Sequence, residues 1–163
     1  MPLREPELPA VVFLHGIGGA GRVWASQVAS FRAAGFAAVA LDLAGYGARP
    51  AVTAMTFEEL AADVERSIAE RGSSRPVLVG HSMGGMVAQT ALRRRPDGYR
   101  AAVLACTSPA FGNPSGEFQK AFVADRLGPL DAGKTMADLA PRMVDAIMAP
   151  RPEPPARALA IEV

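Results

Sequence analysis

One hydroxyl in this sequence stands where it could attack a carbonyl carbon. Ser82 sits at the centre of Gly80-His81-Ser82-Met83-Gly84, and Gly85 follows. The residues before it, Pro76 to Val79, form a short apolar run of the kind that makes a buried strand, and Met83 to Arg94 suits a helix. Strand, Gly-x-Ser-x-Gly, helix is the context in which a serine is held on a sharp turn and presented as a nucleophile. The glycines have a steric reason. Side chains two positions either way of Ser82 would collide with the neighbouring strand and helix, and Gly85 lets that helix lie close to the sheet. The helix N-terminus beneath Ser82 favours negative charge developing there. The bland alternative is a glycine-rich turn with a solvated serine, and the flanking elements favour the chemical reading.

A second reactive stretch, His15-Gly16-Ile17-Gly18-Gly19-Ala20-Gly21, follows the strand-like Ala10 to Leu14, and Asp42 closes the next one, Phe36 to Leu41. Gly16, Gly18 and Gly21 also fit Gly-x-Gly-x-x-Gly, with an acid about 20 residues on, the spacing of an NAD-binding Rossmann unit. His15 in front of the first glycine, and the Ser82 turn left unexplained, count against that alternative. Cys106, at the end of the apolar run Tyr99 to Ala105, is expected to be a buried small hydrophobe. Two histidines and one cysteine supply no metal-ligand cluster.

These groups need a scaffold, and the pattern around them supplies one. Residues 1 to 9 read as an irregular lead-in. Trp24, Gln27, Val28 and Phe31 recur at helical spacing, with Gly35 as the stop. Thr56 and Glu59 form a capping box before the apolar stripe Phe57, Leu60, Ala61, Val64, Ile68, and Gly72 ends that helix. Arg93-Arg94-Arg95 reads as a solvated helix end complementing the helix dipole. Strand and helix alternating up to about Thr107 predict an α/β fold, a doubly wound parallel sheet over residues 10–107. From 108 to 163 the character changes to short helical patterns, around Phe118 to Leu127 and Met136 to Met148. Pro141 is expected to split the second, and Met136, Met143 and Met148 suit an adaptable apolar surface or ordinary core packing.

The 163 residues, half of them hydrophobic and carrying a formal net charge of +1, suit one globular unit with no pull toward nucleic acid or an anionic membrane. The first residues have no signal-peptide core, no stretch is long and apolar enough to span a bilayer, and the single cysteine suits a reducing compartment. A cytoplasmic location is the expectation.

His15-Gly16-Ile17-Gly18-Gly19 after one strand, Asp42-Leu-Ala-Gly-Tyr-Gly47 after the next and Gly80-His-Ser-Met-Gly-Gly85 after the third together resemble the α/β-hydrolase fold family. The pattern is similar to small-molecule esterases, 3-oxoadipate enol-lactonases, C–C bond hydrolases and cofactor-free haloperoxidases. The resemblance covers about Ala10 to Thr107, with the start of a helical cap beyond. It implies Ser82 as nucleophile toward a small-molecule ester or lactone, with the backbone amides of Ile17 and Met83 forming an oxyanion hole. His15 and Gly16 would brace that loop; Gly80, His81, Gly84 and Gly85 would shape the turn, His81 facing away from the serine. Asp42 resembles a loop-ordering aspartate, and Trp24 either floors the pocket or packs in the core. No cofactor or metal is implied.

The resemblance also implies a late acid and histidine, and no histidine follows His81. The first two strands of such a fold are missing ahead of Ala10 as well. The chain is therefore expected to be an internal portion of a longer hydrolase or a truncated product, incomplete at both ends and inactive alone. A non-catalytic scaffold that binds ligands, and a C–C hydrolase or acyltransferase on the same fold, are the alternatives.

Overall fold

Four strands build one parallel sheet: β1 (Val11–Leu14), β2 (Ala38–Leu41), β3 (Val77–His81) and β4 (Ala101–Ala105), in the order β2-β1-β3-β4. The computed structural model describes residues 8–110, 112–113, 115–148 and 154–162. Most of the lead-in and the proline-rich stretch at 149–153 therefore lie outside the described residues. Each strand starts one or two residues later than its apolar run, and β3 extends through Gly80 to His81.

Side chains alternate across a strand, so β1 splits its residues between two faces. Val12 and Leu14 pack with Leu60 and Val64 of α2 (Phe57–Glu70) and Val87 of α3 (Met83–Arg94). Val11 and Phe13 pack with Trp24, and with Val28 and Phe31 of α1 (Ala25–Ala33). Helices thus cover both faces, as a right-handed winding of parallel strands requires. The chain winds one way from β1 to β2, then returns to add β3 and β4 on the other side. That reversal leaves a crevice at the carboxyl ends of β1 and β3, where open α/β sheets bind ligands. The His15–Gly21 loop follows β1 and Ser82 follows β3, so both reach that crevice.

Several expectations change. Cys106 is exposed, not buried, because β4 is an outer strand whose Val103 and Leu104 are themselves open to solvent. Phe57 is also exposed, while the rest of its stripe is buried. Thr56 caps α2 by accepting the Glu59 N–H at 3.2 Å. The arginines ending α3 are not simply solvated: Arg93 pairs with Glu58 at 2.6 Å and Arg94 with Glu65 at 3.0 Å, both across to α2.

The chain divides into two compact units, Met1–Pro109 and Ala110–Val163. The second carries α4 (Glu117–Asp131), α5 (Met136–Ile147) and α6 (Pro154–Glu162). Pro141 lies inside α5 and does not split it. A reciprocal capping box between Thr135 and Asp138 anchors the start of that helix. Arg157 of α6 grips Asp145 of α5 with two bonds, at 2.8 and 2.9 Å.

Candidate active site

Ser82 is the residue on which α3 starts, and its backbone is strained, with φ 52° and ψ −120°. An L-residue there costs on the order of 1–3 kcal/mol, so its surroundings must hold it. The glycines show how tightly the turn is packed. A Cβ on Gly80 would lie 2.5 Å from the Gly84 carbonyl oxygen and 2.6 Å from Gly85 Cα. One on Gly84 would strike the carbonyl oxygen of Leu14, with that of His15 only 2.5 Å away. One on Gly85 would sit 2.6 Å from the Thr107 side chain. All three are shorter than contacts real Cβ atoms make. The turn, the end of β1 and the end of β4 are interlocked through missing side chains.

The loop after β1 lies against the serine. A Cβ on Gly16 would be 3.2 Å from Ser82 Cβ and 3.1 Å from Nδ1 of His81. Ile17 comes next, and with 65% of its surface exposed its side chain is not packed. Met83 is the first residue of α3, so its N–H belongs to the helix-end amides that have no acceptor within the helix.

His15 is fully buried, and both its ring nitrogens are engaged. Leu43 N–H donates to Nε2 at 3.0 Å. An amide N–H can only donate, so Nε2 carries no proton. Nδ1 therefore bears the hydrogen and donates it to the Gly16 carbonyl at 2.8 Å. Burial holds the pKa of the ring below its ordinary value, against opposing effects of the Gly16 bond and the Asp42 charge. Tyr46 stands edge-on to the ring, 4.9 Å between centroids, and its hydroxyl lies 3.9 Å from the Met83 sulfur. Burial raises the Tyr46 pKa.

Asp42 ties down the far end of the same loop. Its carboxylate accepts the Gly21 N–H at 2.6 Å, and a Cβ on Gly47 would lie 2.7 Å from its other oxygen. An aspartate so engaged by its own loops speaks against the dinucleotide alternative. Arg49 donates to the Asp42 carbonyl at 2.9 Å and to Asp63 at 3.0 Å, pinning the Gly45–Pro50 loop to α2. Trp24 packs on Phe13, 5.1 Å between ring centroids, and stands 6.5 Å from the His81 ring. His81 is exposed.

The structure therefore brings Ser82, Gly16, His81, Gly80, Gly84 and Gly85 together, with His15 bracing the loop from below. Sequence reading missed Thr107, whose hydroxyl donates to the Ser82 carbonyl at 2.8 Å, and the Arg49–Asp63 tie. No local pattern announces either, because their partners are distant in sequence. Among the described residues no group of three metal-ligating side chains gathers.

The sequence pattern of the alpha/beta hydrolase family matches residues 11–161, nearly the whole chain. The chain belongs to that family. It is 42% identical over 109 residues to the probable esterase PIR7A of Oryza sativa, a match that takes in 64% of this chain and 41% of the rice protein. Among solved structures it resembles a hydrolase from Pseudomonas aeruginosa PA01 with a TM-score of 0.78 and 24% identity, over 96% of this chain and 60% of that one. It also resembles the enol-lactonase from Burkholderia xenovorans LB400, with a TM-score of 0.74 and 25% identity, over 98% and 60% respectively. The chain thus spans about two fifths of the rice relative's length and three fifths of the two solved chains.

Proposed function

We propose that Ser82 is the nucleophile of a serine hydrolase for small carboxylic esters or lactones, with the amides of Ile17 and Met83 as oxyanion donors. The observation that carries this reading is the positive-φ backbone of Ser82 on a strand-to-helix turn, with the Gly16 loop packed against its Cβ. The names of two relatives, an esterase and an enol-lactonase, support the substrate class. In such a reaction Ser82 Oγ bonds to the carbonyl carbon and gives up its proton, and negative charge moves onto the carbonyl oxygen. Collapse expels the alkoxide and leaves an acyl-serine, which water then hydrolyses. Two fixed N–H groups facing that oxygen lower the barrier by a few kcal/mol, as single-donor removals of about 3 kcal/mol indicate. No cofactor or metal is needed. Residues 108–163 fit the role of a cap portion, and a reducing cytoplasm suits the lone cysteine.

The proton needs an acceptor. This chain has two histidines. His15 has both nitrogens engaged, and His81, next to Ser82 in sequence, lies against Gly16. We therefore expect negligible unaided turnover from these 163 residues. That engagement of His15 also favours the second reading, a scaffold that binds esters without cleaving them.

The test supplies the base from solution. The chain is treated with p-nitrophenyl acetate with and without imidazole, and intact and peptide masses are measured. The reading expects one acetyl group on Ser82, gained faster with imidazole and absent in Ser82→Ala. Acetylation elsewhere, or none despite binding of the ester, would sink the nucleophile assignment and leave the scaffold. Rapid turnover without imidazole would overturn the inference about the missing base.

A further inference from the structure

Among the described residues, Ser82 and Cys106 are the two non-glycine residues with positive φ, at 52° and 49°. They are coupled. Ser82 N–H donates to the Ala105 carbonyl at 2.9 Å, carrying the ladder between β3 and β4 one step past the His81–Ala105 register pair. The Thr107 hydroxyl donates to the Ser82 carbonyl at 2.8 Å. The residues on either side of Cys106 therefore hold the N–H and the C=O of one residue. A segment this short reaches both only by turning between them, at the residue whose φ is 49°.

The start of a helix does not by itself demand such a backbone. Thr56 and Thr135 open α2 and α5 with φ of −105° and −95°, the ordinary extended conformation of a capping residue. Ser82 shares with them the helical bonds to its carbonyl, from Gly85 N–H at 2.9 Å and Met86 N–H at 3.2 Å. It differs in what holds its N–H, which is the neighbouring strand β4, whereas Thr56 and Thr135 donate to Ala54 and Asp138 within their own turns, and in the added hydroxyl on its carbonyl. The Thr107 side chain is seated by the bareness of Gly85, where a Cβ would lie 2.6 Å from Cγ2 and 2.7 Å from Oγ1. Gln89 of α3 then donates to the Ser108 carbonyl at 3.0 Å, fastening the chain beyond Thr107.

We propose that Ala105-Cys106-Thr107 is a backbone clamp on Ser82, with Thr107 as a positioning residue that keeps the serine in its strained presentation. The functional consequence rests on Ser82 being a nucleophile; the clamp itself does not.

Thr107→Val keeps the branched shape and removes the donor, while Thr107→Ser keeps the donor and removes the methyl group. Both are made in the full 163-residue chain, and NMR follows the Ser82 carbon shifts and the exchange rate of its amide hydrogen. In Thr107→Val that amide should exchange about tenfold faster while the β1 amides of Val12 and Leu14 keep their rates, a local opening and not a global one. Thr107→Ser should match the parent. Imidazole-assisted acetylation of Ser82 should slow in the valine variant and recover in the serine variant. Parent-like exchange and shifts in Thr107→Val, or equal disturbance in both variants, would overturn the clamp. If the valine variant does not fold, Thr107→Ala against Thr107→Ser makes the same comparison. Loss of the clamp signature with no acetylation even in the parent would keep the clamp and reject the nucleophile.

Discussion

The Leu43 N–H donates to Nε2 of His15 at 3.0 Å, across 28 residues of sequence, and this bond fixes the tautomer of a fully buried ring. The other nitrogen is then obliged to donate to Gly16, so the loop against Ser82 is braced by a neutral imidazole. A proton on Nε2 would remove the acceptor and leave Leu43 N–H facing another N–H.

That arrangement makes stability depend on pH in a definite direction. Burial depresses the His15 pKa in the folded chain. Below the unfolded value of about 6.5 the unfolded chain binds a proton that the folded chain refuses. The stabilisation is complete above that value and is lost as pH falls from it toward the lower folded pKa. Urea midpoints measured from pH 7.5 down to 5.5 should drop, with a slope from this group of no more than about 1.4 kcal/mol per pH unit. His15→Gln, which can still accept from Leu43, should show a shallower drop. Parallel profiles would remove His15 as the cause.

Gly84→Ala places a methyl group against two backbone carbonyls, those of Leu14 and His15, which cannot move without dislodging β1. Overpacking of that kind costs about 3 kcal/mol. Thermal unfolding should show a fall of several degrees; a variant within a degree of the parent would mean that the turn is looser than its contacts indicate.

Ser82→Gly should go the other way. Glycine accepts φ 52° without penalty, and among the described residues the serine side chain makes no capping hydrogen bond to offset the strain. We expect a gain of about 1 kcal/mol, or roughly 2–4 °C in Tm for a chain of this size. Ser82→Ala keeps the Cβ and should not gain. Equal Tm for the two variants would argue against strain at this position.

The ion pairs rank by burial, not by length. Among the described residues Arg93 and Glu58 are the closest pair, at 2.6 Å, yet their side chains are 65% and 58% exposed, so Arg93→Ala should leave the unfolding midpoint unchanged. Arg49 is 2.9 Å from Asp63, whose side chain is only 12% exposed, and it also holds the Asp42 carbonyl. Arg49→Ala should cost about 2 kcal/mol, since hydrogen bonds to charged groups contribute about 1.5–3 kcal/mol and Arg49 is partly screened. The reverse ranking in urea unfolding would show that the loop tie does not support the fold.

The parts of this architecture that are local in sequence were legible in it. Gly80, Gly84 and Gly85 mark the turn because their absent side chains leave a pattern of five or six letters, and β1 and β3 are runs of apolar residues. The alternation of strand and helix carries the parallel sheet. What hydropathy could not convey is position within the sheet. Tyr99 to Ala105 reads as apolar whether it lies inside or at the margin, which is why Cys106 emerged exposed. Pro141 reads as a break because a missing N–H is a local fact, while the continuation of α5 around it is not. The Thr135–Asp138 capping box is written locally in the letters Thr-Met-Ala-Asp, with aspartate standing where glutamate or glutamine is the usual signature. Thr107 gave no signal, since its partner lies 25 residues earlier.

The same separation sets an order in time. A ribosome adding about 5–20 residues per second makes Ser82 a second or more before Ala105 and Thr107 exist. Until they emerge, the nascent serine has neither the acceptor for its N–H nor the hydroxyl on its carbonyl. Its presentation is thus withheld during synthesis and arrives with the docking of β4, so an incompletely translated chain carries the residue but not its geometry.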